Sequence, residues 1–373
     1  NTLLKALPAV VSSVPAREMW ALSRMIREDQ ALAALFATGD GAEIAARVWG
    51  DERFAAFRAA LERYLEAWGF RCSEELMLTT PSFQEDPAPL MDLLGAYAAA
   101  DGPPPEEVMR RQDEERTAET ARVLRLLCRR RLHPLLPFVS CAPAARVALA
   151  WTKGAIARRE RARLKQALLY SRCRRLALAL GDRLAARALL ERADDVFFLT
   201  MDELDALASG RAMFPYHLPA LVALRRGEHE ELGRMRPPDT FVLGEGEYLE
   251  ADGAAPGAEA AALEDDAAEL RGEGACGGQM TARAAVLRDI SEARALAAGD
   301  VLVTRQTDPG WGPVFFLVRG LVMERGGMLS HGAIIAREFG IPCVVGVRDA
   351  TRRIASGRTV TVDGDRGRVR LEE

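Results

Sequence analysis

The 373-residue sequence predicts a multidomain protein in which a mainly α-helical N-terminal domain (residues 1–236) precedes a C-terminal α/β domain (residues 271–373). Its length exceeds what one hydrophobic core ordinarily supports. The first 236 residues form long stretches rich in alanine, leucine and arginine, whereas short β-branched or apolar runs between glycines dominate after residue 271. Residues 237–270 are rich in glycine, alanine and acidic residues, which predicts a linker.

In the N-terminal domain, the clearest predicted helix runs from about residue 143 to about residue 190. Apolar side chains recur there at a period of about 3.6 residues, and such a stripe ordinarily faces the core. The stripe consists of Trp151, Ala155, Ala162, Leu169, Cys173, Leu176 and Leu180. Beyond it, residues 194–200 predict a turn and a short strand, and Asp202 opens another predicted helix.

In the C-terminal domain, four short apolar runs predict strands, at residues 284–287, 300–304, 314–318 and 343–347. Residues 360–369 alternate around an Asp-Gly pair and predict a terminal hairpin. The sequence Asp308-Pro309-Gly310 predicts a β-turn. Strands mixed with one helix near residue 331 indicate a compact α/β domain.

The composition argues against several kinds of function. A net charge of −4 gives no electrostatic reason to expect nucleic acid or a membrane as a partner, and no apolar run approaches the roughly 18 residues that span a bilayer. The six cysteines are scattered without a Cys-x-x-Cys pair, which predicts reduced thiols and a cytoplasmic protein. Because the chain starts at Asn1 on a predicted helix, we expect it to be a piece of something longer.

One stretch, residues 326–342, is organised around a single reactive side chain. The glycine pair Gly326 and Gly327 predicts a tight turn, Ser330 can cap a helix, and His331 follows in its first turn. Gly340 then ends the helix. A helix N-terminus favours negative charge, so a histidine there is well placed as a neutral nucleophile that takes up a phosphoryl group. His331 is therefore the predicted catalytic residue, and Ser330 could orient the ring or the phosphate.

The stretch resembles the phosphohistidine segment of phosphoenolpyruvate (PEP)-utilising enzymes, whose pattern is Gly-Gly-x-x-Ser-His-x-Ala-Ile-x-Ala-Arg-Glu-x-Gly-Ile-Pro. Every fixed position of that pattern is met here. The resemblance implies that His331 sits on a swivelling domain and carries a phosphoryl group between two sites. Leu329, Gly332 and Trp311 make the chain look closer to rifampicin-phosphotransferase-like members than to pyruvate phosphate dikinase.

The helical region resembles the middle domain of the same family. A Gly-Phe-Arg stretch at residue 69 departs from the family's Gly-His-Arg at Phe70, which puts acid–base chemistry there in doubt. Arg71 and Glu75 remain a plausible buried polar pair. An Arg-Glu-x-x-Arg motif supplies Arg159 and Arg163, two guanidinium groups on one helical flank that could grip a phosphate, although a solvated face is as plausible.

By resemblance, the chain is part of an ATP-dependent phosphotransferase of the dikinase type and is inactive as an isolated fragment. ATP and Mg²⁺ would bind an upstream ATP-grasp domain, in cis or in trans, because the chain has no phosphate-binding Walker motif and no metal-ligand cluster of its own. His331 would then deliver the group to a small-molecule hydroxyl or enol. Two alternatives stay open: PEP synthase or pyruvate dikinase activity, and a non-catalytic carrier or scaffold.

Overall fold

The structure is a computed structural model that describes residues 2–5, 7, 14–133, 136–234 and 269–372. The chain divides into two compact units. The first contains Asn1–Ser171 together with Ala267–Glu373, and the second contains Arg172–Asp266. The predicted linker, residues 237–270, lies outside the described residues except for its last two, which belong to a strand.

The helical region of the first unit begins with six helices. They are α1 (Val14–Glu28), α2 (Gln30–Thr38), α3 (Gly41–Gly50), α4 (Ala55–Trp68), α5 (Ala88–Ala99) and α6 (Pro105–Cys128). Local capping sets two of their starts, since Asp29 accepts hydrogen bonds at the beginning of α2 and Asp40 at the beginning of α3. A short hairpin, β1 (Arg131–His133) with β2 (Leu136–Ser140), follows α6.

The long predicted helix exists as α7 (Ala142–Ala185), but its predicted apolar stripe is not its buried face. Trp151 and Leu176 are each 72% exposed, and Cys173 is exposed as well. The buried line instead runs through residues spaced seven apart: Glu160, Ala167, Arg174 and Gly181. Because two of these side chains are charged, hydrophobic periodicity identified the wrong side of the helix.

The second unit begins at Arg172, within α7, and contains α8 (Met201–Ala208) and α9 (Leu218–Arg234). The helix predicted at Asp202 is confirmed as α8, which Thr200 and Glu203 begin with a reciprocal capping box. The short strand predicted within residues 194–200 is wrong, because Ala193–Phe198 form a 3₁₀ turn. Asp195 stabilises that turn by accepting backbone hydrogen bonds from Glu191 and Arg192.

The C-terminal residues of the first unit form an eight-stranded mixed sheet. Its strands are β3 (Glu269–Arg271), β4 (Glu273–Cys276), β5 (Gln279–Val286), β6 (Val301–Thr304), β7 (Gly320–Met323), β8 (Cys343–Val345), β9 (Thr359–Asp363) and β10 (Arg368–Leu371), in the order β3-β10-β9-β5-β6-β7-β8-β4. Strands β5 to β8 are parallel, and the other pairs are antiparallel. Three helices accompany the sheet: α10 (Val314–Leu317), α11 (His331–Phe339) and α12 (Ala350–Arg353).

The predicted class, a helical region followed by an α/β domain, is confirmed, and so is the terminal hairpin, in which β9 and β10 pair antiparallel. Three of the four predicted strands correspond to β5, β6 and β8. The prediction for residues 314–318 is wrong, since Val314–Leu317 form the short helix α10. Strand β7 was missed. No described helix has both the length and the apolar character needed to cross a bilayer.

Candidate active site

His331 is the first residue of α11, directly after Ser330 at the N-cap. The cap position is as predicted, but the Ser330 hydroxyl makes no capping hydrogen bond. Its backbone is held by the preceding turn, where Gly326 has a φ of +117°. A Cβ on Gly326 would also lie 2.9 Å from the Ser330 hydroxyl, so both conformation and space require glycine there. Gly327 is in open surroundings, since its nearest neighbour would be 4.0 Å from a Cβ.

The His331 imidazole is only 5% exposed and faces charged residues of the helical region. Burial lowers its pKa, and the charges of Arg71 and Arg163 act in the same direction. Glu160 opposes them, with its Oε2 3.8 Å from Nδ1, which is too long for a hydrogen bond. Burial has the largest effect, so the pKa is lowered and the imidazole stays neutral, which is the form that acts as a nucleophile.

Arg71 and Glu75 form the buried pair that the sequence predicted. Arg71 Nη1 donates to Glu75 Oε1 at 2.6 Å, and the two side chains are 4% and 3% exposed. Burial raises the pKa of Glu75, whereas the Arg71 charge lowers it. The Nε atom of Arg71 is buried and has no hydrogen-bond partner among the described residues, so one donor remains for another group. Phe70 is buried beside this pair, with its ring centroid 5.6 Å from the Arg71 guanidinium carbon.

The two arginines predicted to grip a phosphate have different surroundings on α7. Arg163 acts electrostatically on both His331 and Glu75, which places its charge at the site. The Arg159 side chain is 40% exposed and lies 3.3 Å from Glu160. The charges of Arg163 and Arg71 therefore both act on the histidine, whereas Arg159 is partnered by Glu160.

Two acidic residues at the site were missed as functional candidates in the sequence. Glu160 was seen only as part of the arginine motif, and Asp308 only as part of a turn. Asp308 Oδ2 accepts a long, 3.4 Å hydrogen bond from the backbone N–H of Glu75. Burial and then the Glu75 charge raise the pKa of Asp308 well above its usual range. No signal in the sequence indicated a site at Glu160, because its burial on α7 is seen only in the structure.

Two regions of the sequence match known protein families. Residues 296–367 match the family described as PEP-utilising enzyme, mobile domain. Residues 1–160 match the family described as rifampicin phosphotransferase fourth domain. The C-terminal part of the chain thus matches the mobile domain of PEP-utilising enzymes, and much of its helical part matches a rifampicin phosphotransferase domain. The resemblance seen in the sequence is thereby confirmed. Arg71 and Glu160 lie in the region that matches the rifampicin phosphotransferase domain, and His331 lies in the region that matches the mobile domain.

The curated relatives that this chain matches are larger proteins. It is 33% identical to a rifampicin phosphotransferase from Streptomyces sp over 322 residues, which are 85% of this chain and 35% of that protein. The rifampicin phosphotransferase of Streptomyces sviceus is 32% identical over 84% of this chain and 34% of its own length. The chondramide synthase of Chondromyces crocatus is 29% identical over 95% of this chain and 9% of that protein. The chain thus spans about a third or less of these relatives.

Among solved structures, aconitase X of Thermococcus kodakaraensis matches 28% of this chain and 98% of its own, at 22% identity and a TM-score of 0.25. So low a score carries no argument about function.

Proposed function

We propose that this chain is the acceptor-binding and phosphohistidine part of an ATP-dependent phosphotransferase. His331 takes a phosphoryl group from an ATP-grasp domain outside this chain, in cis or in trans, and delivers it to a small-molecule hydroxyl or enol. The observation that carries the proposal is the buried imidazole at the start of α11, whose Nδ1 lies 3.8 Å from Glu160. Burial and the charges of Arg71 and Arg163 lower the pKa of this imidazole, which favours its neutral form. The mobile-domain match and the phosphotransferase relatives support the same chemistry.

ATP and Mg²⁺ are assigned to the ATP-grasp domain, as the resemblance implies. Within the described residues, no group of three or more His, Cys, Asp and Glu side chains is placed to hold a metal ion. When bound, ATP would supply the phosphoryl group, its β-phosphate, to His331. The role of this chain's own residues begins with the nitrogen that accepts that group.

Each half of the reaction forms one bond to phosphorus and breaks another. In the first, a ring nitrogen of neutral His331 attacks and a P–O bond of the donor breaks. In the second, the acceptor oxygen attacks, the N–P bond breaks, and the hydroxyl proton must pass to a base. Burial makes His331 a poor holder of that proton, so the site carboxylates Glu75 and Glu160 are the groups that can accept it. Arg71 and Arg163 stabilise the transferred charge.

The test uses the protein as its complete gene encodes it, with β-labelled ATP and Mg²⁺. We expect an acid-labile, base-stable label that is absent from His331→Ala. The matched control is His217→Ala, which changes an exposed histidine in the second unit and should retain the label. Chasing the label with rifampicin, with pyruvate, or with buffer alone then separates a hydroxyl acceptor from an enol acceptor. An unlabelled wild-type protein would contradict the proposal.

A further inference from the structure

A cavity separate from the His331 site opens in the first unit, where helices α1, α2, α3 and α5 meet the 3₁₀ turn Ile290–Ala295. Among the described residues, its lining shares none with the site built around His331. Its volume of about 390 Å³ and its largely apolar walls are typical of cavities that hold small molecules. The largest apolar side chains of the walls are buried, and they are Ile26, Phe36, Ile44, Met91 and Leu296.

Small residues keep this space open. Helices α2 and α5 face it largely through alanine and glycine, namely Ala33, Ala37, Gly95, Ala96 and Ala99. A Cβ on Gly95 would lie 3.6 Å from the carbonyl oxygen of Phe36, which is an ordinary contact. Alanine would therefore fit at position 95, and it favours a helix more than glycine does. Neither space at the Cβ nor helix stability requires this glycine, and its effect is to leave the cavity wider.

Two opposite charges line the cavity without touching. Asp92 comes from α5, and Arg294 comes from the 3₁₀ turn. Burial raises the pKa of Asp92, and the charge of Arg294 acts against that rise. The two groups nonetheless form no hydrogen bond or ion pair, and Arg294 has no such partner among the described residues. The cavity therefore offers one carboxyl group and one guanidinium that a ligand could engage separately.

The other arginine at the cavity is already engaged. Arg27 donates to the carbonyl oxygens of Tyr97 and Ala100, at 2.6 Å each. These carbonyls lie at the C-terminal end of α5, where a helix leaves its last carbonyl groups without partners inside the helix. Arg27 therefore completes the end of α5, and Arg294 is the cation that remains for a bound anion.

We propose that the cavity binds an apolar α-amino acid, whose ammonium pairs with Asp92, whose carboxylate pairs with Arg294 and whose side chain lies among the apolar walls. A ligand with only a negative charge would be repelled by Asp92, and one with only a positive charge would be repelled by Arg294. A wholly apolar ligand would take the Asp92 carboxyl out of water without a partner. A zwitterion with a hydrocarbon side chain avoids all three penalties. The inference goes beyond the proposed function and does not rest on it.

The test is a calorimetric titration of the protein as its complete gene encodes it, without nucleotide, using leucine as the probe. Two analogues retain a leucine-like hydrocarbon chain but lack one charged group: isocaproate lacks the ammonium, and isoamylamine lacks the carboxylate. We expect leucine to bind, and each analogue to bind at least about tenfold more weakly because it loses one charge-assisted pair. If either analogue binds as tightly as leucine, the proposal is overturned.

Substitutions then locate the binding. Asp92→Asn and Arg294→Gln should each weaken leucine binding at least about tenfold. Arg288→Gln makes the same change at another exposed arginine, which does not line the cavity, and should bind leucine as the wild type does. Because Arg294 is exposed, its variant should fold even if Asp92→Asn does not. A wild type that binds no leucine at about 10 mM, or unchanged binding in Arg294→Gln, would overturn the proposal.

Discussion

Replacing Glu338 by glutamine should stabilise the protein at neutral pH, and by more as the pH rises. The side chain is 1% exposed near the C-terminal end of α11, where Oε2 accepts a 2.8 Å hydrogen bond from the backbone N–H of Leu7. Burial raises the pKa of this carboxyl to about 8. The Leu7 hydrogen bond and the charges of Arg116 and Arg337 oppose that rise, and Glu160 adds to it.

The size of the stabilisation follows from the difference between the pKa of Glu338 in the folded protein and its pKa in the unfolded chain. In the folded protein Glu338 keeps its proton up to about pH 8, whereas in the unfolded chain it ionises above its ordinary pKa of 4.5. The stability from the neutral carboxyl is therefore fully present below pH 4.5 and is lost as the pH rises through 8. At about 1.4 kcal/mol per pH unit, the free energy of unfolding falls by about 3 kcal/mol between pH 4.5 and pH 7. Glutamine keeps the shape and the acceptor for Leu7 but does not ionise.

Urea unfolding of the wild type and Glu338→Gln across pH 5.5 to 7.5 measures this difference. We expect the advantage of the variant to grow from about 1 kcal/mol at the lower pH to about 4 kcal/mol at the higher. Glu62→Gln makes the same change at an exposed position and should follow the wild type at every pH. Parallel stability curves for the wild type and Glu338→Gln would refute the reasoning, because the carboxyl would then titrate alike in the folded and unfolded chains.

Three further substitutions test separate parts of the structure. Gly340→Ala should lower the free energy of unfolding by about 2 kcal/mol or more, since its φ is +68° and a Cβ would lie 2.3 Å from Gln112; a loss below about 0.5 kcal/mol in thermal denaturation would contradict this. Leu176→Gln should change stability by less than about 0.5 kcal/mol, and a loss near 2 kcal/mol would show that this exposed face is packed. Arg71→Leu should lower the free energy of unfolding, measured in urea, by about 3–5 kcal/mol because it leaves Glu75 buried without its partner. The double variant with Glu75→Leu should recover much of that loss, and equal losses in the single and double variants would argue against the pair.

The parts of the fold that sequence reasoning predicted are those fixed by local signals. The α11 helix has its N-cap at Ser330 and ends at a left-handed Gly340, as the residue types alone required. The terminal hairpin follows from its alternation and its Asp-Gly pair. The position of His331 at the start of α11 was predicted for the same reason, because the sequence contains this turn–helix unit in one piece.

What the sequence could not provide are the features that depend on contact between distant segments. Strand β7 is four residues long and buried, so it has no alternation by which to recognise it. A Cβ at position 310 would lie 1.8 Å from the carbonyl oxygen of Cys72, which is distant in the sequence. From the sequence alone, a β-turn explains this glycine equally well. Glu160 lies on the face of α7 opposite the apolar stripe that was predicted to face the core. In each case the prediction needed to know which distant residue lies next to the one in question, and the residue types do not give that information.

The misread face of α7 and the raised pKa values of the buried carboxyl groups have a common physical origin. A site for phosphoryl transfer must bring charged side chains together out of water, and the raised pKa values of Glu75 and Asp308 show that burial there disfavours the charged carboxylates. Burial of these side chains therefore carries a desolvation cost. Burial of Phe316 between Trp20 and Tyr97 opposes that cost. The charged site is thus buried at a cost that apolar packing elsewhere in the same unit offsets.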